Sequence, residues 1–286
     1  MKQILMTLSF VVIQTTILVA QEVSVEMKKM IYKHVNQQEL YVDMFCPSGE
    51  PKTNSTAIAL FHGGGWVNGD PSEFHEACRW FARRGYVTFS FQYRLCVNDD
   101  GTYPHPEISP SESVKDARSA MRWLKENAAS LKIDPEKIVV GGQSAGGQLA
   151  LATALMDTIN ESTDNLKFSP EPVALLLYSS NVNTLEPWID NLFGEKRRDE
   201  IWSVSPYHNL KKMPPAVAFR GEADCMVIPY IVDFFKRKTI EMGNEFLLYS
   251  YPGRSHYLGE GNDKYAEYFD EEILERSLSF LKQKGL

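Results

Sequence analysis

Gly142-Gln143-Ser144-Ala145-Gly146 sets a serine midway between two glycines. Ile138-Val139-Val140 before it is β-branched and apolar, and Gln148 to Leu155 after it is a run of mostly good helix formers. The spacing predicts a strand, a sharp reversal at Ser144 and a helix. Such an elbow needs glycine two residues to either side, because the serine backbone is strained and strand and helix pass too close for a Cβ. It leaves the hydroxyl at a helix N-terminus, where unpaired amides and the dipole favour a developing anion. A phosphate-binding turn could look similar, but the glycine spacings of dinucleotide and nucleoside-triphosphate loops are absent.

A serine hydroxyl is a poor nucleophile at neutral pH, so it requires a base, and the base an orienting acid. Both follow downstream. Asp224 comes after Phe219-Arg220-Gly221-Glu222-Ala223 and His256 after Tyr251-Pro252-Gly253-Arg254-Ser255, each where an apolar run ends. Glu222 and Asp233 are the alternative acids; Asp233 falls inside a predicted helix and Glu222 points to the other side of a short loop, so Asp224 leads. Upstream, His62-Gly63-Gly64-Gly65-Trp66 closes another apolar run. Three consecutive glycines let backbone amides approach a ligand closely, as an oxyanion hole requires. Chemistry of this kind calls for no metal and no cofactor.

These loops need a scaffold of strands and helices. Alternation over Met30 to Phe45, broken by Asn36-Gln37-Gln38-Glu39, predicts an antiparallel hairpin at a sheet edge. Apolar runs at 56–61, 138–140, 173–178 and 216–220 read as buried strands, the first covered on both faces, and 86–93 and 245–251 as further strands. Between and after them, helices are expected over 74–84, 111–131, 148–155, 228–242 and 265–282. The alternation predicts a mostly parallel, doubly wound α/β sheet in a single domain over residues 21–286. Arg94 and Asp116 are read as a structural ion pair. Residues 183–213 form a less regular insertion after a strand end, a place where α/β enzymes shape pockets. Trp188 and Trp202 there, with Trp66 and Tyr257 beside the chemistry-bearing loops, are the candidate pocket residues.

The 286 residues carry a net charge of −7, with no basic run to suit nucleic acid or anionic lipid. Lys2 followed by uncharged residues from Ile4 to Ala20 reads as a secretory leader cleaved after Ala20, placing the mature chain in the periplasm or outside the cell and off the membrane. Four cysteines, at 46, 78, 96 and 225, permit three full pairings in an oxidising compartment; buried free thiols fit equally. Oligomeric state is not readable from these features.

HGGGW, GQSAGG, GEAD followed by IP, and SH stand in register along residues 30 to 284. In these motifs the chain resembles α/β-hydrolase-fold esterases of the HGGG, hormone-sensitive-lipase-like branch, and most of all secreted bacterial carbohydrate esterases that remove acetyl or feruloyl groups. The resemblance implies Ser144 as nucleophile, His256 as base, Asp224 as acid, and the amides of Gly64, Gly65 and Ala145 as the oxyanion hole. It implies a small-molecule or polysaccharide ester as substrate, a short acyl group and acetyl first, with ferulate or a broad range of short esters as alternatives. Two departures count against long-chain lipids: Gln143 stands where lipase-like members usually carry Asp, and residues 21–55 are too few for their longer helical cap. A serine peptidase of this fold would need a gating domain for which there is no room, and a non-catalytic binding protein would be expected to have lost one of the parts retained here.

Overall fold

The computed structural model describes residues 23–35, 37–48, 53–194, 197–258 and 270–286. The expected leader lies outside them. Strands β1 (Val25–Val35) and β2 (Gln38–Pro47) form the antiparallel hairpin, and β2 pairs antiparallel with β4 (Val87–Phe91). All remaining pairings are parallel: β3 (Ser55–Phe61) with β4 and with β5 (Ile133–Gln143), then β6 (Ala174–Tyr178), β7 (Ala216–Gly221) and β8 (Phe246–Tyr251). The sheet has eight strands in the order β1-β2-β4-β3-β5-β6-β7-β8.

Successive residues of the central strands face opposite ways, as the strand repeat demands. Ala57, Ala59 and Phe61 enter one apolar cluster while Ile58 and Leu60 enter the other, and Leu175 and Leu177 likewise part from Leu176. Helices cover both faces. The first cluster takes in α2 (Pro110–Glu126), α4 (Ala145–Leu155) and α7 (Pro229–Glu241), and the second α1 (His75–Ala82) and α8 (Glu271–Gln283). The insertion contains α5 (Pro187–Phe193) and α6 (Arg198–Ser203).

Three expectations change. The helix predicted over 111–131 stops at Asn127, whose side chain donates to Trp123 O at 2.9 Å, and a separate turn, α3 (Ala128–Leu131), follows. Asparagine offers the backbone a competing hydrogen bond, which periodicity does not register. The helix expected from 74 begins as a 3-10 turn, Pro71–Phe74, with Asp70 as its cap. The last helix starts at Glu271, and residues 265–269 lie outside the described residues. The Arg94–Asp116 pair forms at 2.8 Å within a larger buried network in which Lys33 reaches Asp116 at 2.6 Å and both cations reach Glu161. Strand order reverses about the β3–β5 pair. Chain segments leaving the carboxyl ends of β3 and β5 therefore diverge, and a crevice opens between them.

Candidate active site

Leaving β5, Ser144 caps α4 with φ 52° and ψ −118°, a backbone that L side chains rarely adopt. Three backbone hydrogen bonds hold it there. Ser144 N donates to Tyr178 O at 3.0 Å, and Ser144 O accepts from Gln148 N at 3.1 Å and Asn181 N at 3.0 Å. A Cβ on Gly146 would meet Phe61 O at 2.0 Å, so close passage of β3 accounts for that glycine.

Asp224 and His256, on the loops after β7 and β8, are buried and meet. Asp224 Oδ2 accepts from His256 Nδ1 at 2.8 Å, while Oδ1 accepts from the amides of Met226 and Val227, each at 2.8 Å. The carboxylate accepts from three fixed donors, and its bond to Nδ1–H sets the tautomer with the lone pair on Nε2. That lone pair receives a hydrogen bond from Gln143 Nε2 at 3.1 Å. The other end of the same amide lies against the glycine loop, where a Cβ on Gly63 would stand 1.8 Å from Gln143 Oε1. Of the alternative acids, Asp233 pairs with Arg220 at 3.0 Å and Glu222 is exposed.

The loop after β3 bends with φ 102° at Gly64 and 61° at Gly65. Tyr93, a residue that motif reading passed over, fixes it. Its hydroxyl donates to His62 O at 3.0 Å and Gly63 O at 2.9 Å, and its ring stacks on His62 at 4.3 Å between centroids. Burial pushes the His62 imidazole down to about 4, so near neutral pH it is an uncharged support whose Nδ1 donates to Gly63 O at 2.9 Å. Ala145 stands at the first position of α4, where an amide has no intrahelical acceptor. Gly64, Gly65, Gln143, Ser144 and His256 all line one cavity of about 540 Å³.

Of the four candidate pocket residues, two reach this cavity. Trp188 and Tyr257 line it, with Leu192, Met226 and Val67. Trp66 does not: it is fully buried behind Trp188, and its Nε1 donates to Gln148 Oε1 at 3.0 Å, tying the glycine loop to α4. Trp202 does not either; it is half exposed and packs on His208. All four cysteines are free, three of them buried and Cys225 exposed, so no disulfide braces the Asp224 loop. Beneath Trp188 lies a second buried carboxyl, Glu186, accepting from Asn181 Nδ2 at 3.3 Å and Trp188 Nε1 at 3.4 Å. Burial is the main cause that pushes it up to about 7; the indole donor opposes this and the charge of Asp224 adds to it.

Residues 42–237 match the family model described as BD-FAE. The chain belongs to the BD-FAE family. Among solved structures, this BD-FAE member is similar to Thermogutta terrifontis esterase 2 phosphoramylated by tabun, with a TM-score of 0.79 and 29% identity over 91% of this chain and 95% of that one. The propionate-bound form of that esterase matches with a TM-score of 0.78 and 29% identity, covering 91% and 94% of the two chains. Curated relatives include Lipase 2 of Moraxella sp. (strain TA144), 36% identical over 108 residues, or 37% of this chain and 23% of that protein. Esterase-5A of Drosophila persimilis is 32% identical over 152 residues, 52% of this chain and 25% of its own length. The chain thus spans about a quarter of the length of these two relatives. The fold, with its mostly parallel sheet and antiparallel N-terminal hairpin, is the α/β-hydrolase fold of these esterase structures.

Proposed function

We propose that this BD-FAE protein is a serine carboxylic-ester hydrolase that removes short acyl groups, acetyl first, from a carbohydrate outside the cytoplasm. One observation carries the reading: a strained serine at a helix N-terminus shares a cavity with a histidine whose far nitrogen is held by a buried aspartate. Ser144 Oγ attacks the ester carbonyl while His256 Nε2 takes its proton, the Gln143 amide giving way. The carbonyl oxygen, now an anion, turns to the amides of Gly64, Gly65 and Ala145. Collapse breaks the ester C–O bond, and His256 returns the proton to the departing alcohol. Water, activated by the same imidazole, then releases the acid from Ser144.

The esterase structures support ester hydrolysis, and Thermogutta terrifontis esterase 2 has been solved both phosphorylated by paraoxon and with propionate or butyrate bound. The apolar wall formed by Trp188 and Leu192 suits a short acyl group, and its aromatic character also favours ferulate as a second reading. Ser144→Ala should abolish p-nitrophenyl acetate hydrolysis and labelling by a fluorophosphonate. Retention of either at the wild-type level overturns the assignment of the nucleophile. Acetate, ferulate and nitrophenol release from acetylated xylan, feruloylated arabinoxylan and a p-nitrophenyl ester series decides the substrate, and a preference for octanoate or longer chains would exclude the carbohydrate reading.

A further inference from the structure

The cavity around Ser144 has two unlike walls. One is the apolar wall of Val67, Trp188, Leu192, Met226 and Tyr257; the other is polar and comes from the 3-10 turn and the first turn of α1, with Ser72, Glu73, His75, Glu76 and Arg79. An acyl methyl gains nothing from the polar wall. The alcohol half of an ester does, if it carries hydroxyls to pair with those groups.

The polar wall is braced. Asp70 accepts from Ser72 N at 2.8 Å, Glu73 accepts from Asp70 N at 3.3 Å, and Ser90 Oγ donates to Pro71 O at 2.6 Å, locking the turn onto β4. His75 is held from behind. Its Nε2 lies 2.9 Å from Oδ2 of Asp43, a buried residue of β2 whose Oδ1 has no hydrogen-bond partner among the described residues, and the ring stands edge-on to Phe45 at 5.0 Å. Two Asp–His pairs therefore address one cavity, at 2.8 Å for Asp224–His256 and 2.9 Å for Asp43–His75. In the second pair Asp43 holds Nε2–H, which leaves Nδ1 as an acceptor for a hydroxyl. Arg79, one turn along the same helix face, is fixed as a flat donor by Glu76 Oε1 at 2.5 Å and by the Phe45 ring 5.3 Å from its guanidinium. Carboxylates outnumber guanidinium groups on this wall, with Glu73 and Glu76 against Arg79, so it repels an anionic alcohol.

We infer that the 3-10 turn and first turn of α1 form the alcohol-side subsite, that it takes a neutral hydroxyl-rich ring, and that His75, oriented by Asp43, is its specificity-determining residue. The inference rests on the hydrolase reading above and names the alcohol it acts on. Purified wild type, His75→Gln and Arg79→Met are compared on p-nitrophenyl acetate, a monoacetylated methyl xyloside and a monoacetylated methyl glucuronide. For His75→Gln, the ratio of kcat/KM on the xyloside to that on the nitrophenyl ester should fall about tenfold, chiefly through KM, the loss of one or two hydrogen bonds. Arg79→Met should lower the same ratio at least about threefold, and it decides the matter if His75→Gln does not fold. Wild type should prefer the xyloside to the glucuronide. Equal losses on both acetates in both variants, or a preference for the glucuronide, overturn the subsite. Hydrolysis of the nitrophenyl ester without release of acetate from any sugar overturns the carbohydrate reading itself, and the subsite with it.

Discussion

Gln143 Nε2 lies 3.1 Å from His256 Nε2, on the lone pair that accepts the serine proton in the proposed mechanism. The amide occupies the acceptor that the Ser144 hydroxyl would use in that step. Transfer of the serine proton to Nε2 therefore has to break the amide's bond.

Removing the donor should therefore free that acceptor for the Ser144 hydroxyl. Gln143→Met, close in volume, is expected to speed labelling by a fluorophosphonate about threefold to tenfold, the worth of one hydrogen bond. Labelling rates of wild type and variant measured at one pH test this. A rate no higher than that of wild type would mean that the contact has no hold on the base.

Tyr93 bears on the same reaction from the other side. Tyr93→Phe strips the buried carbonyls of His62 and Gly63 of a shared donor, at a cost of about 1–3 kcal/mol in stability. Because those carbonyls belong to the loop that presents Gly64 and Gly65, kcat should drop about tenfold with KM little changed, a fraction of what losing an oxyanion donor outright costs. Thermal unfolding and steady-state kinetics test the two halves separately. Unfolding at the wild-type temperature combined with wild-type kcat would show that the loop holds its shape without the hydroxyl.

Glu186 links pH to stability. Its carboxyl is pushed up to about 7 in the folded chain, against an ordinary value of 4.5. A raised carboxyl binds its proton more tightly when folded, so stability falls as pH rises between these two values and stays reduced above them. Glu186→Gln removes the ionisation and keeps an acceptor for Trp188. Its stability relative to wild type should improve by about 1–2 kcal/mol between pH 5 and pH 8, allowing for partial solvent screening. Urea unfolding at the two pH values reads this directly; a difference independent of pH would mean that Glu186 does not titrate in this range.

The elbow and the loops bearing Asp224 and His256 were legible because each follows a strand end and the chemistry restricts residue type at short spacing. Strand order was legible only as a class. Side-chain destinations were not. Gln143 stood out in sequence as a departure from a motif, yet nothing local says that its amide turns to a histidine 113 residues away. His75 is in the same position: its partner Asp43 lies 32 residues earlier, on another element. Tyr93 offered only a tyrosine at the end of a strand, a signal too common to select. Tryptophan is legible as a large apolar ring, but whether it walls a cavity, as Trp188 does, fills the core, as Trp66 does, or lies on the surface, as Trp202 does, depends on neighbours that the fold alone supplies.

That division among the tryptophans can be tested on the acyl side. Trp188 is on α5, against Leu192 and beside Gly65, where an added Cβ would meet the Trp188 ring at 3.9 Å and Leu192 at 4.0 Å. Its ring lines the cavity, and in the proposed mechanism it bounds the space open to an acyl chain. Trp188→Ala should lower kcat/KM for acetate by removing packing around the methyl group, and should improve butyrate and hexanoate relative to acetate, since each methylene buried in the new space gains about 0.8 kcal/mol. The chain-length optimum should move from two carbons to four or six. Trp202→Ala, on an exposed face of α6, should leave that optimum and the rate on acetate as they are. Kinetics on a p-nitrophenyl ester series from C2 to C8 compare the two. If Trp188→Ala keeps the wild-type optimum while Trp202→Ala shifts it, the acyl group binds on the other side of the insertion and the apolar wall has been assigned to the wrong half of the ester.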